Sequence, residues 1–146
     1  MKKILIIMAC LLTMQITAEA SNDKAISFEK LPQQSQQLIK EHFADQAIAL
    51  VKMDTDIFDT MYEVIFTNGN KIEFDRKGVW QEIQCKNTQF PEQLIPQPIK
   101  EYVNKNYSGI KIVKLEKEDL SRHEVDLANG INLEFDSNFN IIDIDF

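Results

Sequence analysis

The sequence predicts an α+β fold made of two tandem repeats. Each repeat is a helix followed by about four antiparallel strands, and the helices pack on one face of the sheet. Three observations support this prediction: long segments occur twice, each copy holds an Asn-Gly pair between alternating apolar residues, and an apolar-Pro pair opens each helical pattern. The 146 residues are enough for one domain or two very small ones.

The chain begins with a pattern typical of a cleaved signal peptide. Two lysines precede an apolar stretch from Ile4 to Thr13, and Ala18-Glu19-Ala20 has the small-x-small form of a cleavage site. The stretch is too short to span a bilayer, which needs roughly 20 apolar residues. We therefore expect residues 1–20 to be removed and the mature chain to be periplasmic or secreted. Lipoprotein anchoring at Cys10 is the alternative, but its apolar stretch would then be unusually short.

The first repeated segment predicts one helix in each copy. Residues 31–43 align without gaps on residues 95–107, and both open with an apolar residue followed by Pro, which favours the first turn of a helix. Leu38 and Ile39 then fall on one helical face, and the second copy repeats this spacing. Residues 21–30 are expected to form a flexible lead-in.

The second repeated segment predicts a β-hairpin in each copy. Residues 62–75 align on residues 123–136 with seven of fourteen positions identical, including the Asn-Gly pair and a Glu-Phe-Asp triplet. Apolar residues alternate on both sides of each Asn-Gly pair, which is the period of a strand with one buried face. Asn-Gly tolerates the two positive φ angles of a two-residue type I′ turn, so we expect that turn type.

Further strands are expected on either side of each hairpin. Val79 to Gln84 matches Phe139 to Asp145, and Ile48 to Met53 matches Ile110 to Glu116. The two repeats can join edge to edge in one sheet or pack side by side, and the sequence leaves both arrangements open. The predicted organisation is a signal peptide at 1–20, a lead-in at 21–30, repeat 1 at 31–85, a linker at 86–94 and repeat 2 at 95–146.

The residues that carry these turns and strands resemble the PepSY-like family of exported bacterial proteins. The resemblance implies two tandem α+β modules outside the cytoplasm, with no established enzymatic activity. The family is also described as resembling beta-lactamase inhibitor protein, so an inhibitor-like role is implied by the fold alone, and function does not follow from fold. Phe139 and Ile141 stand where the first copy has Gly78 and Trp80, so we do not expect both copies to bind alike. The motif residues are Gly69, Phe74, Asp75, Gly78 and Trp80 in the first copy and Gly130, Phe135 and Asp136 in the second.

Composition and motifs argue against several function classes. A net charge of −7 disfavours electrostatic binding to nucleic acid or anionic membranes. No nucleophile elbow, phosphate-binding loop or dinucleotide fingerprint occurs, so we expect no enzyme activity, catalytic residue or cofactor. Asp54 to Asp59 lacks the Gly and Glu of a calcium loop, and His42 and His123 lie in different element types, so no metal ligands are named. Cys85 is expected to be a half-buried residue at the end of a strand, and the sequence leaves open whether its thiol is free or linked to another chain.

Alternation along the last strand of each repeat predicts a recognition face opposite the helices. If Ile83 and Ile144 point towards the helices, their neighbours point away and expose a tryptophan rimmed by charges, a composition typical of protein-binding patches. The alternative is that Trp80 packs across neighbouring strands or between the modules, as part of the core. The candidate protein-binding residues are Trp80, Glu82, Lys71, Glu73, Asp75, Ile141 and Asp143.

These observations predict an exported, non-enzymatic binding protein that recognises another cell-envelope or secreted protein through this face. One alternative is an envelope protein that binds a small ligand or a cation on the acidic sheet face. A more distant alternative is an uncharacterised hydrolase. A calcium-dependent thermal shift would separate cation binding from protein binding.

Overall fold

The computed structural model describes residues 22–118 and 121–146, which form two α-helices, two short 3-10 turns and nine strands. The predicted signal peptide, including Cys10, lies outside the described residues. Each strand pairs antiparallel with the next in chain order, so both repeats share one sheet, and the α+β prediction is confirmed. The elements are β1 (Lys24–Ala25), α1 (Gln33–His42), β2 (Ile48–Thr55), β3 (Thr60–Phe66), β4 (Lys71–Phe74), β5 (Trp80–Gln84), α2 (Gln97–Asn106), β6 (Ile112–Lys117), β7 (His123–Leu127), β8 (Asn132–Phe135) and β9 (Ile141–Asp145).

The helices begin where the apolar-Pro pairs predict. Pro32 directly precedes α1 and Pro96 directly precedes α2, each with an extended ψ angle that leads the chain into the first helical turn. Ile39 on α1 is buried, and Ile99 and Val103 on α2 are buried in the same way. No helix in residues 22–118 or 121–146 is long and apolar enough to cross a membrane.

The two repeats meet where β5 pairs with β6. Ile83 stands opposite Leu115 in this pairing, and both side chains are fully buried. The amide of Cys85 donates to the carbonyl of Val113 at 2.8 Å, which extends the ladder by one residue. Of the two arrangements that the sequence left open, the edge-to-edge sheet is the one that forms.

The Asn-Gly hairpins form where predicted, but the expected turn type is wrong. Gly69 has a φ of +87°, whereas Asn68 does not have a positive φ. The amide of Gly69 donates to the carbonyl of Phe66 at 3.0 Å, and the amide of Phe66 donates to the carbonyl of Asn70 at 2.9 Å. This is a type I turn followed by a left-handed glycine. The Asn68 side chain stabilises it by accepting the amide of Asn70 at 2.9 Å, so the asparagine is used for its side chain rather than for a positive φ.

Residues 22–30 are more regular than the loose lead-in that the sequence predicts. β1 pairs with β2, and Phe28–Lys30 form a single 3-10 turn. The amide of Ile26 donates to the carbonyl of Val51 at 2.9 Å, which continues this contact beyond β1. The segment therefore covers part of the outer edge of β2.

The core lies between the two helices and one face of the sheet. Cys85 is buried in it with 1% of its surface exposed, deeper than the predicted half-buried position. Burial raises the pKa of its thiol to about 11, against the opposing effect of a hydrogen bond with Thr88. The largest fully buried side chains are Phe43, Phe66, Phe74, Phe135, Ile72, Ile83, Ile99, Leu115, Leu127 and Leu133.

Candidate functional site

The sheet surface opposite the helices, called here the open face, carries a network of charged side chains. Alternation along the strands directs the buried residues of each strand to the helices and the intervening polar residues to this surface. Its charged and amide residues include Lys52, Glu63, Lys71, Glu73, Glu82, Gln84, Lys114, Glu116, Glu124, Asp126, Asn132, Glu134, Asp143 and Asp145.

Trp80 and Ile141 do not lie on the open face, so the sequence prediction is wrong for both residues. A β-bulge shifts the register of β5, so that Trp80 stands opposite the buried Phe74. Only 9% of the Trp80 surface is exposed. The second repeat has the same bulge, and Ile141 stands opposite Phe135 against the core. Simple alternation fails here because a bulge inserts an extra residue and reverses the side-chain parity beyond it. The core alternative is therefore the correct one for Trp80.

Trp80 instead contacts a lysine of the second repeat. The ammonium of Lys117 lies 3.7 Å from the centroid of the Trp80 ring, a cation–π geometry. Burial lowers the pKa of Lys117, and the negative charge of Asp75 partly opposes this effect. His123 is also buried on this side of the sheet, beside the ring of Phe139 at 5.1 Å. Burial and the neighbouring Lys117 charge lower the pKa of His123.

Asp75 directly follows β4, at the start of the turn that leads to β5. Its carboxylate accepts the amides of Lys77 at 2.9 Å and Val79 at 3.0 Å. The amide of Gly78, whose φ is +87°, donates to the Asp75 carbonyl at 2.9 Å. Asp75 thus stabilises the β4–β5 turn.

In the first repeat, lysines neutralise the carboxylates of the open face. The ammonium of Lys71 lies 2.9 Å from Glu73, 3.4 Å from Glu82 and 3.8 Å from Glu63. Lys52 lies 2.9 Å from the other carboxylate oxygen of Glu63. Burial disfavours the charged form of Lys71, but its hydrogen bond with Glu73 and the nearby negative charges outweigh burial and raise its pKa. Lys71, Glu73 and Glu82 are the predicted site residues that the structure brings together.

The second repeat keeps the carboxylates but not the two lysines. In the repeat alignment Asn132 stands where the first repeat has Lys71, and Glu116 faces Glu124 as Lys52 faces Glu63. The amide of Asn132 donates to Glu124 at 2.9 Å and to Asp126 at 2.6 Å. This exchange of cations for neutral or acidic groups makes the second half of the open face far more negative than the first.

Lys114 supplies part of the missing positive charge. Its ammonium lies 2.7 Å from Glu116 and 3.1 Å from Glu124. Burial would lower the pKa of Lys114, but the hydrogen bonds and charges of both glutamates outweigh it and raise that pKa. Burial likewise raises the pKa of Glu124, yet its bonds with Lys114 and Asn132 lower it overall.

Three carboxylates of the second repeat crowd together at one end of β7. An oxygen of Glu118, one of Glu124 and one of Glu134 all lie within 4.8 Å of one another, and the three side chains are half-buried. Arg122 lies 3.2 Å from Glu118, and Lys114 contacts Glu124. This trio, called here the acidic triad, has the donor type and spacing that a divalent cation requires.

Comparison with protein-family models identifies the family of this chain. Residues 60–143 match the family model described as "Putative beta-lactamase-inhibitor-like, PepSY-like". The chain belongs to the PepSY-like family. Because this match covers more than half of the chain, the resemblance drawn from the sequence is confirmed. A search of curated proteins gives no match.

Solved structures share the PepSY-like fold at substantial sequence identity. A "putative periplasmic protein" of the DUF2874 family from Bacteroides vulgatus is 49% identical, with a TM-score of 0.83 over 87% of this chain and 99% of that one. A "putative calcium-regulated periplasmic protein" from Bacteroides thetaiotaomicron is also 49% identical, with a TM-score of 0.82 over 85% and 97%. A third, from Bacteroides vulgatus and of unknown function, is 35% identical, with a TM-score of 0.78 over 85% and 99%.

The acidic triad of this PepSY-like chain was not among the predicted site residues. Glu118 follows β6 directly, and its approach to Glu124 and Glu134 depends on the path of the loop between β6 and β7. One signal was present in the sequence, since the alignment of the repeats already places Asn132 at the position of Lys71. The remaining predicted residue, Asp143, lies four strands from Glu82, about 19 Å away at the usual strand spacing.

A second feature of this PepSY-like chain is the exposed end of the β2–β3 hairpin. β4 pairs with β3 only from Tyr62 onwards, so the hairpin beyond that residue is an isolated two-stranded ribbon. Ile57 and Phe58 at its tip are 86% and 88% exposed. Two adjacent large apolar side chains at such exposure are uncommon on a surface without a binding role.

Proposed function

We propose that this protein is an exported, non-enzymatic binding protein. Its open face binds a divalent cation at the acidic triad, where the oxygen donors favour calcium. The observation that carries the proposal is the exchange of Lys71 and Lys52 of the first repeat for Asn132 and Glu116 in the second. The first repeat has its own cations, whereas the second retains the carboxylates without these two. A bound cation would restore the missing positive charge.

Calcium suits the donors that the acidic triad offers. It binds six to eight oxygen ligands and accepts irregular geometry, so carboxylates and water can complete its shell on an open sheet. Three neighbouring carboxylates also repel one another, and a cation between Glu118, Glu124 and Glu134 would relieve this repulsion. The 49% identical relative described as calcium-regulated supports this choice of ion.

The environment of Cys85 disfavours nucleophilic catalysis by this residue. Cys85 is buried, and its thiol pKa is raised to about 11, so little of the reactive thiolate forms at neutral pH. An exported location is supported by the signal-peptide pattern and by the three relatives described as periplasmic. Calcium is also more abundant outside the cytoplasm, where sites of modest affinity are used.

The repeats provide a matched pair of variants to test cation binding. Glu134→Gln removes one carboxylate of the acidic triad, and Glu73→Gln removes its counterpart in the first repeat, which Lys71 neutralises. We expect calcium to raise the melting temperature of the mature chain, by an amount that corresponds to about 2.7 kcal/mol at a hundredfold excess over Kd. Glu134→Gln should abolish the shift and Glu73→Gln should retain it, as measured by thermal unfolding and calorimetric titration.

Two results would contradict cation binding. One is a melting temperature that does not change between excess calcium and a chelator. The other is an equal calcium response in Glu134→Gln and Glu73→Gln, which would assign the response to general screening of negative charge rather than to the acidic triad.

Recognition of a protein partner is a second candidate function. It is favoured by the exposed pair Ile57 and Phe58, which stands on a protruding hairpin with Asp54, Asp56 and Asp59 around it. The open face beside this hairpin is not covered by α1 or α2 and carries the predicted binding residues Glu73 and Glu82. An acidic ribbon with an apolar tip fits a partner cleft that has an apolar floor and basic walls.

The partner hypothesis is tested with the tip residues rather than with Trp80. The mature chain and an Ile57→Ser, Phe58→Ser double variant serve as paired baits in envelope extract, and any retained protein is purified and titrated against both. We expect the double variant to fold normally and to bind at least tenfold more weakly. Equal affinity of the two chains would remove the hairpin tip from the interface.

A further inference from the structure

The sheet ends at β9, whose outer edge is not covered by another described strand, whereas its other end is partly covered. β1 pairs with the outer side of β2 at Lys24 and Ala25. At the opposite end of the sheet, β9 pairs with β8 alone among the strands formed by residues 22–118 and 121–146. An uncovered strand edge presents free amides and carbonyls that can pair with another extended chain.

The internal repeat shows how an edge of this kind is covered. β9 is the counterpart of β5, since Ile141 opposes Phe135 through a bulge just as Trp80 opposes Phe74. The outer edge of β5 is occupied by β6, which runs antiparallel to it and is the first strand of the second repeat. The same backbone geometry therefore accepts a strand at one copy and stands open at the other.

The side chains on β9 are exposed where their counterparts on β5 are covered. Ile144 is half-buried, whereas its counterpart Ile83 is fully buried. Ile142 is 49% exposed, although an apolar side chain stands there in place of the polar Gln81 of the first repeat. Apolar residues at an open edge favour burial by an added strand.

Charge determines which strand the edge would accept. Asp143 and Asp145 are exposed on the open face beside Glu134. Antiparallel pairing of two β9 strands would bring these aspartates close to those of the second copy, which is unfavourable. A strand with basic side chains at these positions would be attracted, as Lys114 of β6 is attracted to its carboxylate neighbours.

We propose that the edge of β9 accepts an extended segment of a partner protein in which basic residues alternate with apolar ones. The basic residues would face Asp143 and Asp145 on the open face, and the apolar residues would continue the helix-covered face beside Ile144. This inference uses a different surface from the acidic triad and does not depend on cation binding.

A synthetic peptide with a sequence close to that of β6 tests the edge directly. The basic probe has the sequence of residues 110–117 with the change Glu116→Lys, so that lysine stands at both positions that would face the aspartates. The acidic probe has the native glutamate and the change Lys114→Glu, with the same length and alternation. Hydrogen exchange of the mature chain is followed with each probe in turn.

We expect the basic probe to slow amide exchange in β9 at least tenfold and the acidic probe to leave it unchanged. In the chain with Asp143→Lys and Asp145→Lys, this preference should be reversed. The proposal is overturned by equal protection from both probes, by protection away from β9, or by none at all. It is also overturned if β9 is protected without probe in a concentration-dependent dimer, because the occupant would then be a second copy.

Discussion

The side chain of Trp80 packs against the core, with the Lys117 ammonium above its ring. Truncation of a buried aromatic removes its transfer free energy and leaves a cavity, so Trp80→Ala should lower the free energy of unfolding by about 3–5 kcal/mol. The control is Phe58→Ala, at an exposed position, where the change should be within about 0.5 kcal/mol. Chemical denaturation measures both, and a Trp80→Ala chain as stable as the control would place the indole outside the core.

Gly78 and Gly130 both have left-handed backbones but differ in their surroundings. Their φ angles are +87° and +90°, so alanine is strained at either by about 1–2 kcal/mol. A Cβ on Gly78 would meet the Cβ of Pro32 at 2.6 Å and the Ser35 hydroxyl at 2.8 Å, whereas one on Gly130 meets nothing within 4 Å. Gly78→Ala should therefore cost about 1–3 kcal/mol more than Gly130→Ala in denaturant unfolding. Equal losses of unfolding free energy in the two variants would mean that α1 shifts without cost to accommodate the added Cβ.

Cys85 makes part of the stability depend on pH. Its folded-state pKa of about 11 lies above the ordinary 9.0, so the fold favours the neutral thiol. This contribution is complete below pH 9.0 and is lost as the pH rises towards about 11, when the thiol of the unfolded chain ionises first. Between these pH values the wild type should lose about 2–3 kcal/mol more than Cys85→Ala. Parallel pH profiles of the two chains would show that the thiol ionises without penalty in the folded state.

At the scale of elements, local patterns predicted the hairpins and helices, and the bulges escaped prediction. A turn is determined by a few adjacent residues, so the Asn-Gly pairs located the hairpins even though the turn type was wrong. A bulge depends on the partner strand. The signal was nevertheless present, because apolar residues three apart, such as Trp80 and Ile83, recur in the second repeat at Ile141 and Ile144.

Predicting the acidic triad from the sequence would have required the same kind of non-local information. Glu124 and Glu134 are aligned by strand register, which alternation can predict, but Glu118 joins them from a loop. The loss of one lysine is a different case, because aligning the two hairpins sets Lys71 against Asn132 without any structure. Comparing the repeats position by position therefore indicated the electrostatic difference, whereas only the fold could show which carboxylates meet.

Lys71 and Asn132 occupy equivalent positions in the two repeats, and exchanging these residue types should create a cation site in the first repeat and remove the one in the second. Lys71→Asn removes the ammonium from among Glu63, Glu73 and Glu82 and gives β4 the residue that β8 has at Asn132. We expect this variant to bind a second calcium ion in calorimetric titration, because Glu73 and Glu82 lose their built-in cation while Lys52 remains beside Glu63. Asn132→Lys, the reciprocal change, should prevent binding at the acidic triad. Unchanged stoichiometry in both variants would show that these residues do not determine where cations bind.

At the scale of the whole molecule, the continuous sheet predicts that the two repeats unfold together. Ile83 and Leu115 bury each other at the junction, and Lys117 of the second repeat covers Trp80 of the first. A unit of about 55 residues is only marginally stable alone, so loss of one repeat should expose and destabilise the other. Fluorescence of Trp80, the single tryptophan, and far-UV circular dichroism should therefore follow one coincident transition.

Destabilising either repeat provides the decisive comparison. Gly78→Ala acts in the first repeat, and Phe135→Ala creates a cavity in the second, where its side chain is fully buried. Each should move the fluorescence and dichroism transitions together to lower denaturant, because the β5–β6 ladder must break before either half can unfold alone. A biphasic dichroism curve in Phe135→Ala, with Trp80 fluorescence following only the later phase, would show instead that the junction transmits too little stability to couple the repeats.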